Sequence, residues 1–352
     1  MVALSAMQRL TDQVVEEALA AGLGTAAAAG IAHRGQRAVS FGGHLALDAP
    51  EPVAEESLFD LASITKTYTA AVLLQLVNDG RIDPDAPVGS VIDVGSGRGA
   101  PEITLRMLLT HTAGFPHDVF LWRDEPGMDP MERLERVIRT PLESAPGAVF
   151  RYSCTGYIAA GVIAERLTGK SLPQLVSEFV TGPLGVSRTR YGPVEPECAV
   201  ATEDMSFIGR GMVRGQVHDE LSWWLGGRTG NAGLFAPVGD VLSFAESFLD
   251  DRLLGPRGWP LAVTPADIAG PDPGFGHTLG LRTADHGFMG RASGVGHTGF
   301  TGTMWWADPH HQVAVVLLTN RVHPTRRGAE PGPLRRAFSN RVVERIRTGW
   351  GC

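Results

Sequence analysis

The residues best placed to do chemistry are Ser63 and Lys66, which stand three positions apart at the start of an apolar segment. Residues at this spacing share one face of a helix, so a lysine nitrogen can lie beside a serine hydroxyl. A serine hydroxyl becomes a useful nucleophile when an adjacent base accepts its proton. A lysine in an altered environment can be that base, and Ser-x-x-Lys is a known catalytic motif. The alternative is a helix N-cap serine followed by a solvated lysine.

A second candidate is Tyr152, in a segment that contains Gly147 and precedes an apolar helical pattern. A phenolate beside an ammonium group is stabilised, so a tyrosine there can carry protons as a general base or acid. The alternative for Tyr152 is a packed aromatic residue with no role in chemistry.

A third candidate is the segment from Gly296 to Gly302, which surrounds His297 with small and hydroxylated residues. Such residues allow a ligand to approach the backbone closely. An edge strand also offers free N–H groups, which can stabilise an oxyanion. The alternative is a glycine-rich turn that carries a surface histidine.

Together these segments resemble the three motifs of the serine β-lactamase and penicillin-binding-protein superfamily. The most similar branch is the group of class C β-lactamases, D-Ala-D-Ala carboxypeptidases and family VIII esterases. The resemblance covers roughly residues 5–345, and segments 108–114, 146–153, 217–220 and 230–235 support it. The three motifs are Ser63-Ile64-Thr65-Lys66, Tyr152-Ser153-Cys154 and His297-Thr298-Gly299.

The resemblance implies a role for each matching residue. Ser63 would be the acylated nucleophile, and Lys66 and Tyr152 would share the work of general base and acid. The backbone N–H groups of Ser63 and Phe300 would form the oxyanion hole. The reaction would be acylation of Ser63, followed by transfer of the acyl group to water or to another nucleophile.

The substrate-binding side departs from the family pattern at two positions. His297 stands where β-lactamases have lysine, with Thr298 and Gly299 expected to line the substrate strand. Cys154 stands where the family usually has asparagine, whose amide both donates and accepts hydrogen bonds. Because cysteine does neither well, Cys154 weakens the case for lactam or D-Ala-D-Ala recognition. We interpret Cys154 as a small apolar filler, with a reactive thiol as the alternative.

Composition excludes several classes of partner. The chain has 352 residues, of which 43% are hydrophobic and 20% charged, with a net charge of −7. This charge argues against nucleic acid, and no apolar run is long enough to span a membrane. The first 20 residues lack the pattern of a secretory signal, which predicts a cytoplasmic protein. The partner would be a small-molecule acyl donor, with an amine or alcohol as an alternative acceptor to water; the oligomeric state stays open.

Three further groups of residues need interpretation. Neither the histidine pairs nor the cysteines have metal-ligand or disulfide spacing, so we expect no metal and no cofactor. The basic residues from Arg335 to Arg347 are predicted to form a solvated helix face. Several aromatic residues are candidates to line the site or to pack in the core. The pairs that contain histidine are His117-Asp118, His218-Asp219 and His310-His311. The cysteines are Cys154, Cys198 and Cys352. The aromatic residues are Phe120, Trp122, Trp223, Trp224, Trp305 and Trp306.

The order of predicted elements indicates how the chain would position these residues. It is an α/β protein of the α+β type, with an antiparallel sheet of about five strands built from both chain ends and flanked by helices. Residues 1–82 and 226–352 would form the sheet domain and residues 83–225 an inserted, mostly helical subdomain, with the site in the cleft between them. Strands are predicted over 279–283, 300–307 and 313–319, and a loop rich in proline and glycine over 255–276.

The leading functional hypothesis is a serine hydrolase that acts on an ester with a small or apolar acyl group. A transacylase or amide-forming enzyme would use the same acyl-enzyme with an amine in place of water. A D-Ala-D-Ala peptidase or β-lactamase is a further alternative, which Cys154 argues against. The alternative from another class is a degenerate binding or sensor protein, although the retained Ser63, Lys66, Tyr152 and His297 argue against it.

Overall fold

A seven-stranded antiparallel sheet forms the centre of the computed structural model, which describes residues 2–117, 119–125, 127–268, 270 and 273–350. The strands are β1 (Ala26–His33), β2 (Gln36–Gly43), β3 (Phe59–Asp60), β4 (Arg190–Tyr191), β5 (Leu234–Ala236), β6 (Gly276–His277), β7 (Arg282–Thr283), β8 (Val295–Thr298), β9 (Met304–Asp308) and β10 (Val313–Thr319). Their order in the large sheet is β2-β1-β10-β9-β8-β7-β6, and β3, β5 and β4 form a small second sheet.

Helices cover both faces of the large sheet. The α-helices of the described residues are, in chain order, α1 (Val2–Ala20), α2 (Thr65–Asn78), α3 (Leu105–Leu109), α4 (Leu121–Asp124), α5 (Pro130–Ile138), α6 (Cys154–Thr168), α7 (Leu172–Val176), α8 (Gly182–Leu184), α9 (Glu220–Trp224), α10 (Val238–Glu246), α11 (Gly255–Val263) and α12 (Gly332–Arg347). Of these, α1 and α10 pack on opposite faces of the sheet. The predicted α/β class, with an antiparallel sheet built from both chain ends, is confirmed.

The number of strands was underestimated. Within the described residues the large sheet has seven strands, where about five were predicted. The two strands that were not predicted are β8, which pairs between β7 and β9, and β6, which adds two residues at the edge beside β7. A two-residue strand is too short to show the alternation of apolar and polar residues by which strands are recognised in a sequence.

The sheet separates two hydrophobic cores, and this explains the unbroken apolar character of its central strands. Alternate residues of β10 face opposite sides, so Val316 lies in the core with α2 and α10, and Val315 lies in the core with α1 and α12. Trp305 and Trp306 of β9 divide in the same way. Because strands buried on both faces need apolar residues throughout, these tryptophans stabilise the fold and lie away from solvent.

The predicted loop over 255–276 was wrong for its first part, which forms α11. Pro256 lies in the first turn of this helix, where the lack of an N–H group has little cost. Gly258 faces α2 so closely that a Cβ atom would lie 2.6 Å from the carbonyl oxygen of Leu74. Gly258 therefore allows α11 to pack closely on α2. Because α2 is distant in the sequence, local patterns could not show this role of the glycine.

Helices α2 and α6 contribute to a single core that unites the two predicted parts of the chain. Val72 of α2 and Ile158 of α6 both belong to it. The boundaries near residues 82 and 226 stay a prediction about chain topology. Within the described ranges, no helix combines the length and the apolar character that crossing a bilayer requires.

Candidate active site

Ser63 lies in a tight turn that joins β3 to α2. Ala62, just before it, has a φ of 46°, a left-handed conformation that is unfavourable for a residue with a side chain. The buried carboxylate of Asp60 stabilises this conformation by accepting a hydrogen bond from the Ala62 N–H at 2.8 Å. Strained residues held in this way are common where a functional side chain must be presented. Sequence analysis did not identify Asp60.

Lys66 is fully buried one helical turn after Ser63. Its Nζ donates to Ser63 Oγ at 3.0 Å and to the carbonyl oxygen of Asn231 at 3.2 Å, and it lies 3.6 Å from Cys154 Sγ. Burial opposes the charge of Lys66, but Tyr152 and Asp219 favour it, and the pKa of Lys66 lies above the ordinary value. In the resting site Lys66 is therefore an ammonium group held between Ser63 and the Asn231 carbonyl.

Tyr152 lies in the loop before α6, with the Lys66 Nζ 5.0 Å from the centre of its ring. His111 supports this loop, because its Nδ1 accepts a hydrogen bond from the Ser153 N–H at 3.1 Å. The His111 ring also packs against Tyr152, with ring centres 4.4 Å apart. The first two motifs thus meet at Lys66.

The third motif is attached to the turn that carries Ser63. Gly299, after β8, packs so closely that a Cβ atom would lie 2.6 Å from the carbonyl oxygen of Leu61. The hydroxyl of Thr301 donates to the Asp60 carbonyl at 2.8 Å, and the hydroxyl of Thr303 donates to that of Leu61 at 3.2 Å. These contacts fix the end of β8 relative to the turn that carries Ser63.

Arg335 takes part in this attachment, contrary to the prediction that it belongs to a solvated helix face. It is buried, and its Nη2 donates to the carbonyl oxygens of Gly299 at 2.9 Å and Thr303 at 2.8 Å. Burial lowers the pKa of Arg335 to about 9. Nothing in the sequence distinguishes it from the other arginines of α12, because the carbonyl groups it binds come from another part of the chain.

A cavity of about 560 Å³ opens next to Ser63. Of the residues predicted for the site, Tyr152, Cys154 and Phe300 also line this cavity. Lys66 lies buried behind them. Among the described residues, no hydrogen-bond partner is found for the Phe300 N–H. A donor of an oxyanion hole must be free in this way, so that it can bind the substrate oxygen.

The structure places His297, Thr298 and Gly299 differently from the other predicted site residues. They are not among the residues that line the cavity. His297 is buried beside Tyr152, with ring centres 6.2 Å apart, and its Nδ1–H donates to the Thr298 carbonyl at 2.7 Å. Burial, with Arg282 and Lys66 nearby, keeps the pKa of His297 well below its usual value, so the ring is neutral.

Part of the cavity wall is aromatic and apolar. Of the six aromatic candidates, Phe120 and Trp122 line it, whereas Trp224 is buried beneath Arg133 and Trp223 lies at a separate surface depression. The remaining apolar lining residues are Ala62, Val119, Phe207, Leu221, Ala232 and Phe300. The cavity can therefore accept an apolar group beside Ser63.

A charged network forms another part of the wall, next to Phe207 and Phe300. The Nε2 of buried His218 lies 2.9 Å from Glu203 Oε2, and Arg326 bridges Glu203 at 2.7 Å and Glu220 at 2.6 Å. Asp219, between His218 and Glu220 in the chain, also lines the cavity. His218, Asp219 and Glu220 belong to a segment that the sequence motifs identified, whereas Glu203 and Arg326 were not predicted. In the part of the chain that the structure describes, which omits Asp118 and Cys352, no three histidine, cysteine, aspartate or glutamate side chains converge to hold a metal ion.

His277 is a third buried imidazole near the motif tyrosine, after His111 and His297. Its Nδ1–H donates to the Thr278 carbonyl at 2.7 Å, and burial lowers its pKa from 6.5 to about 4. The pKa values of His111 and His297 are also lowered, chiefly by burial. The three imidazoles therefore bind protons more readily in the unfolded chain than in the folded protein. The free energy of unfolding should fall as the pH decreases from 6.5 towards about 4.

We expect the variant His277→Asn to lose less stability on acidification than the wild type. Asparagine keeps a donor for the Thr278 carbonyl but does not titrate. The difference should approach about 1 kcal/mol per pH unit below neutrality. The measurement is the free energy of unfolding in urea at several pH values from 7 to 5. Replacement of the exposed His44 by asparagine is the matched control. Equal slopes in the wild type and His277→Asn would contradict the prediction.

The fold agrees with comparisons to known proteins. The Beta-lactamase family profile matches residues 11–339. The chain therefore belongs to the beta-lactamase family and is a serine hydrolase of that family, as the three motifs predicted.

Individual relatives show the range of this family. A protein of Escherichia coli (strain K12) named a putative D-alanyl-D-alanine carboxypeptidase is 31% identical over 330 residues, covering 81% of this chain and 74% of the relative. The structure of EstCE1, described as a hydrolase with promiscuous acyltransferase activity, matches with a TM-score of 0.77 and 21% identity, covering 96% of this chain and all of EstCE1. The D-amino acid amidase of Ochrobactrum anthropi SV3 matches with a TM-score of 0.73 and 21% identity, covering 99% of both chains.

Proposed function

We propose that this protein is an esterase that transfers a small or apolar acyl group to water through an acyl-enzyme on Ser63. The observation that carries the proposal is the position of Ser63, which lines the cavity while its Oγ is hydrogen-bonded to buried Lys66 at 3.0 Å. A nucleophile, a partner that can exchange its proton and space for an acyl group are what acyl transfer requires.

In the proposed first step, Ser63 Oγ attacks the ester carbonyl carbon and its proton passes to the Lys66–Tyr152 pair. Before the transfer, the pair holds one proton fewer than a full ammonium and phenol. It is either an ammonium with a phenolate or an amine with a phenol, and in both arrangements it can accept the serine proton. The N–H groups of Ser63 and Phe300 would stabilise the oxyanion. The bond between the carbonyl carbon and the alkoxy oxygen then breaks, and the alcohol leaves with the proton from the pair.

In the second step a water molecule replaces the alcohol. It attacks the acyl carbon while the pair accepts its proton, and the bond to Ser63 Oγ breaks as the proton returns to that oxygen. The products are a carboxylic acid and free enzyme. The apolar wall formed by Phe120, Trp122 and Leu221 supports an apolar acyl group as the part that the protein recognises.

Acyl transfer to an amine is a second candidate. The broad cavity next to Ser63 leaves room for an acceptor other than water, and EstCE1 is described as having acyltransferase activity. The name of the Escherichia coli relative raises D-Ala-D-Ala peptidase activity as a further candidate. We give it less weight because Cys154 offers a substrate amide only a thiol, where an asparagine would offer a donor and an acceptor.

The test is brief mixing of the protein with p-nitrophenyl esters of increasing acyl length, followed by the intact mass and the rate of nitrophenol release. An acyl adduct on the peptide containing Ser63 is the expected result. Repetition with added amines separates the two candidates, because a transacylase would form amide in preference to free acid. No adduct and no nitrophenol with any ester would favour a binding protein.

We expect Cys154→Asn to raise turnover of an amide relative to the matching ester. The new side chain would supply both a donor and an acceptor to a substrate amide, and one such hydrogen bond contributes about 1 kcal/mol, or roughly fivefold. The measurement is the ratio of kcat/KM for a p-nitroanilide and a p-nitrophenyl ester of the same acid. Cys198→Asn, at an exposed cysteine, is the matched control. An unchanged ratio in Cys154→Asn would mean that Cys154 only fills space.

A further inference from the structure

Cys154 gives the Lys66 ammonium group only a weak hydrogen-bond acceptor, at the position where the family usually has asparagine. Cys154 Sγ lies 3.6 Å from Lys66 Nζ. Burial raises the pKa of the Cys154 thiol, so the sulfur stays neutral and offers only a weak acceptor. A buried ammonium group needs strong acceptors to hold it in one position. Another part of the chain must therefore supply them.

Asn231 supplies one of these acceptors from the loop before β5. It is completely buried, and its carbonyl oxygen accepts from Lys66 Nζ at 3.2 Å. Its side-chain amide lies near the Cys154 thiol and opposes the rise that burial causes in the pKa of that thiol. The amide therefore neighbours the cysteine that replaces the family asparagine.

The Asn231 side chain is itself fixed on both of its polar atoms. Oδ1 accepts from the hydroxyl of Thr229 at 2.6 Å, and Nδ2 donates to Asp219 Oδ1 at 3.4 Å. The same oxygen of Asp219 accepts from the Ser222 N–H at 2.7 Å, at the start of α9. The amide thus joins the loop to the cavity wall, and its orientation is determined by both contacts.

The loop is also locked onto the two helices that carry the first two motifs. The hydroxyl of Thr69, in α2, donates to the carbonyl oxygen of Gly230 at 2.9 Å. Gly230 packs so tightly on α6 that a Cβ atom would lie 2.0 Å from the carbonyl oxygen of Tyr157. The carbonyl of Asn231 is therefore presented to Lys66 from a rigid support.

We propose that Asn231 is the positioning residue that takes over the role of the asparagine missing from position 154. It holds Lys66 against Ser63 through its carbonyl oxygen, and its side chain fixes that carbonyl through Thr229 and Asp219. The proposal rests on the proposed function, because the alignment of Lys66 with Ser63 matters only if Ser63 is acylated.

Two measurements on four proteins test this proposal. The proteins are the wild type, Asn231→Ala, Cys154→Asn and the double variant. The first measurement is the rate of Ser63 acylation by a p-nitrophenyl ester. The second is the mobility of the lysine side chains by NMR relaxation after lysine-selective ¹³C labelling. The chain has two lysines, so exposed Lys170 gives an internal reference and Lys66 is assigned by its loss in Lys66→Met.

We expect Asn231→Ala to make Lys66 more mobile and to slow acylation about ten- to a hundredfold, because small displacements of reacting groups have effects of this size. An asparagine at position 154 can contact Lys66 directly. The double variant should therefore restore a rigid Lys66 and acylate within about threefold of Cys154→Asn. Lys170 should not change in any protein.

The proposal is overturned if Lys66 is as rigid in Asn231→Ala as in the wild type, or if the alanine slows acylation equally in both backgrounds. If Asn231→Ala does not fold, Asn231→Asp replaces it, since it has the same shape but places a carboxylate oxygen against Asp219. The absence of a wild-type adduct would refute the proposed esterase. The mobility of Lys66 would still decide whether Asn231 positions it.

Discussion

The variant Ser63→Ala is expected to form no acyl adduct and to lose ester hydrolysis by a factor on the order of 10⁴ or more. The substitution removes the one oxygen that lines the cavity and is hydrogen-bonded to Lys66. Without it the substrate can still bind, but only hydroxide or water can attack. Alanine fits the short helical turn, so the fold should persist.

The measurement compares intact masses of the wild type and Ser63→Ala after brief mixing with a p-nitrophenyl ester, with nitrophenol release recorded in parallel. Ser243→Ala is the matched control, because Ser243 is a helical serine that contacts Arg37 away from the cavity. It should acylate at the wild-type rate. Turnover by Ser63→Ala at a rate close to that of the wild type would end the proposal of a Ser63 acyl-enzyme.

The variant Lys66→Met is expected to slow acylation by about 10²- to 10⁴-fold, the range typical for loss of a proton-transfer group. Methionine is similar in length to lysine and keeps its buried apolar part, but cannot donate to Ser63 Oγ or exchange its proton. Tyr152 remains near Ser63, and we expect it to sustain the residual rate. The effect is therefore smaller than that of Ser63→Ala.

Lys66→Met also leaves the Asn231 carbonyl without its donor, at a cost of about 1–3 kcal/mol in stability. Thermal unfolding separates this cost from the effect on chemistry. Lys170→Met is the control, because Lys170 is exposed and paired with Glu178. Acylation by Lys66→Met within a fewfold of the wild type would show that Lys66 does not carry the proton.

Local patterns in the sequence were sufficient for most of the long elements and for the contact within the first motif. Ser63 and Lys66 are neighbours on one helical turn, and their spacing alone predicts the contact between them. The apolar runs of β9 and β10 and the polar turn at His310 and His311 likewise predict a hairpin from short-range information. The class of fold followed because hairpin-connected strands are antiparallel.

The rest of the site depends on contacts between distant parts of the chain. Lys66 and Asn231 are 165 positions apart, yet one holds the other. Arg335 looks like its solvated neighbours in α12 until the fold places it beneath the carbonyl groups that follow β8. Gly258 looks like a turn residue until α11 packs on α2.

The difference between the two groups has a physical origin. A residue type and its spacing determine local conformation, because backbone and side-chain sterics act within a few positions. Whether a polar group is buried, and what it binds there, is decided by the packing of elements that meet only in the folded protein. The sequence alone therefore predicted the family and the contact between Ser63 and Lys66, and the tertiary structure revealed the groups that hold Lys66 and the end of β8 in place.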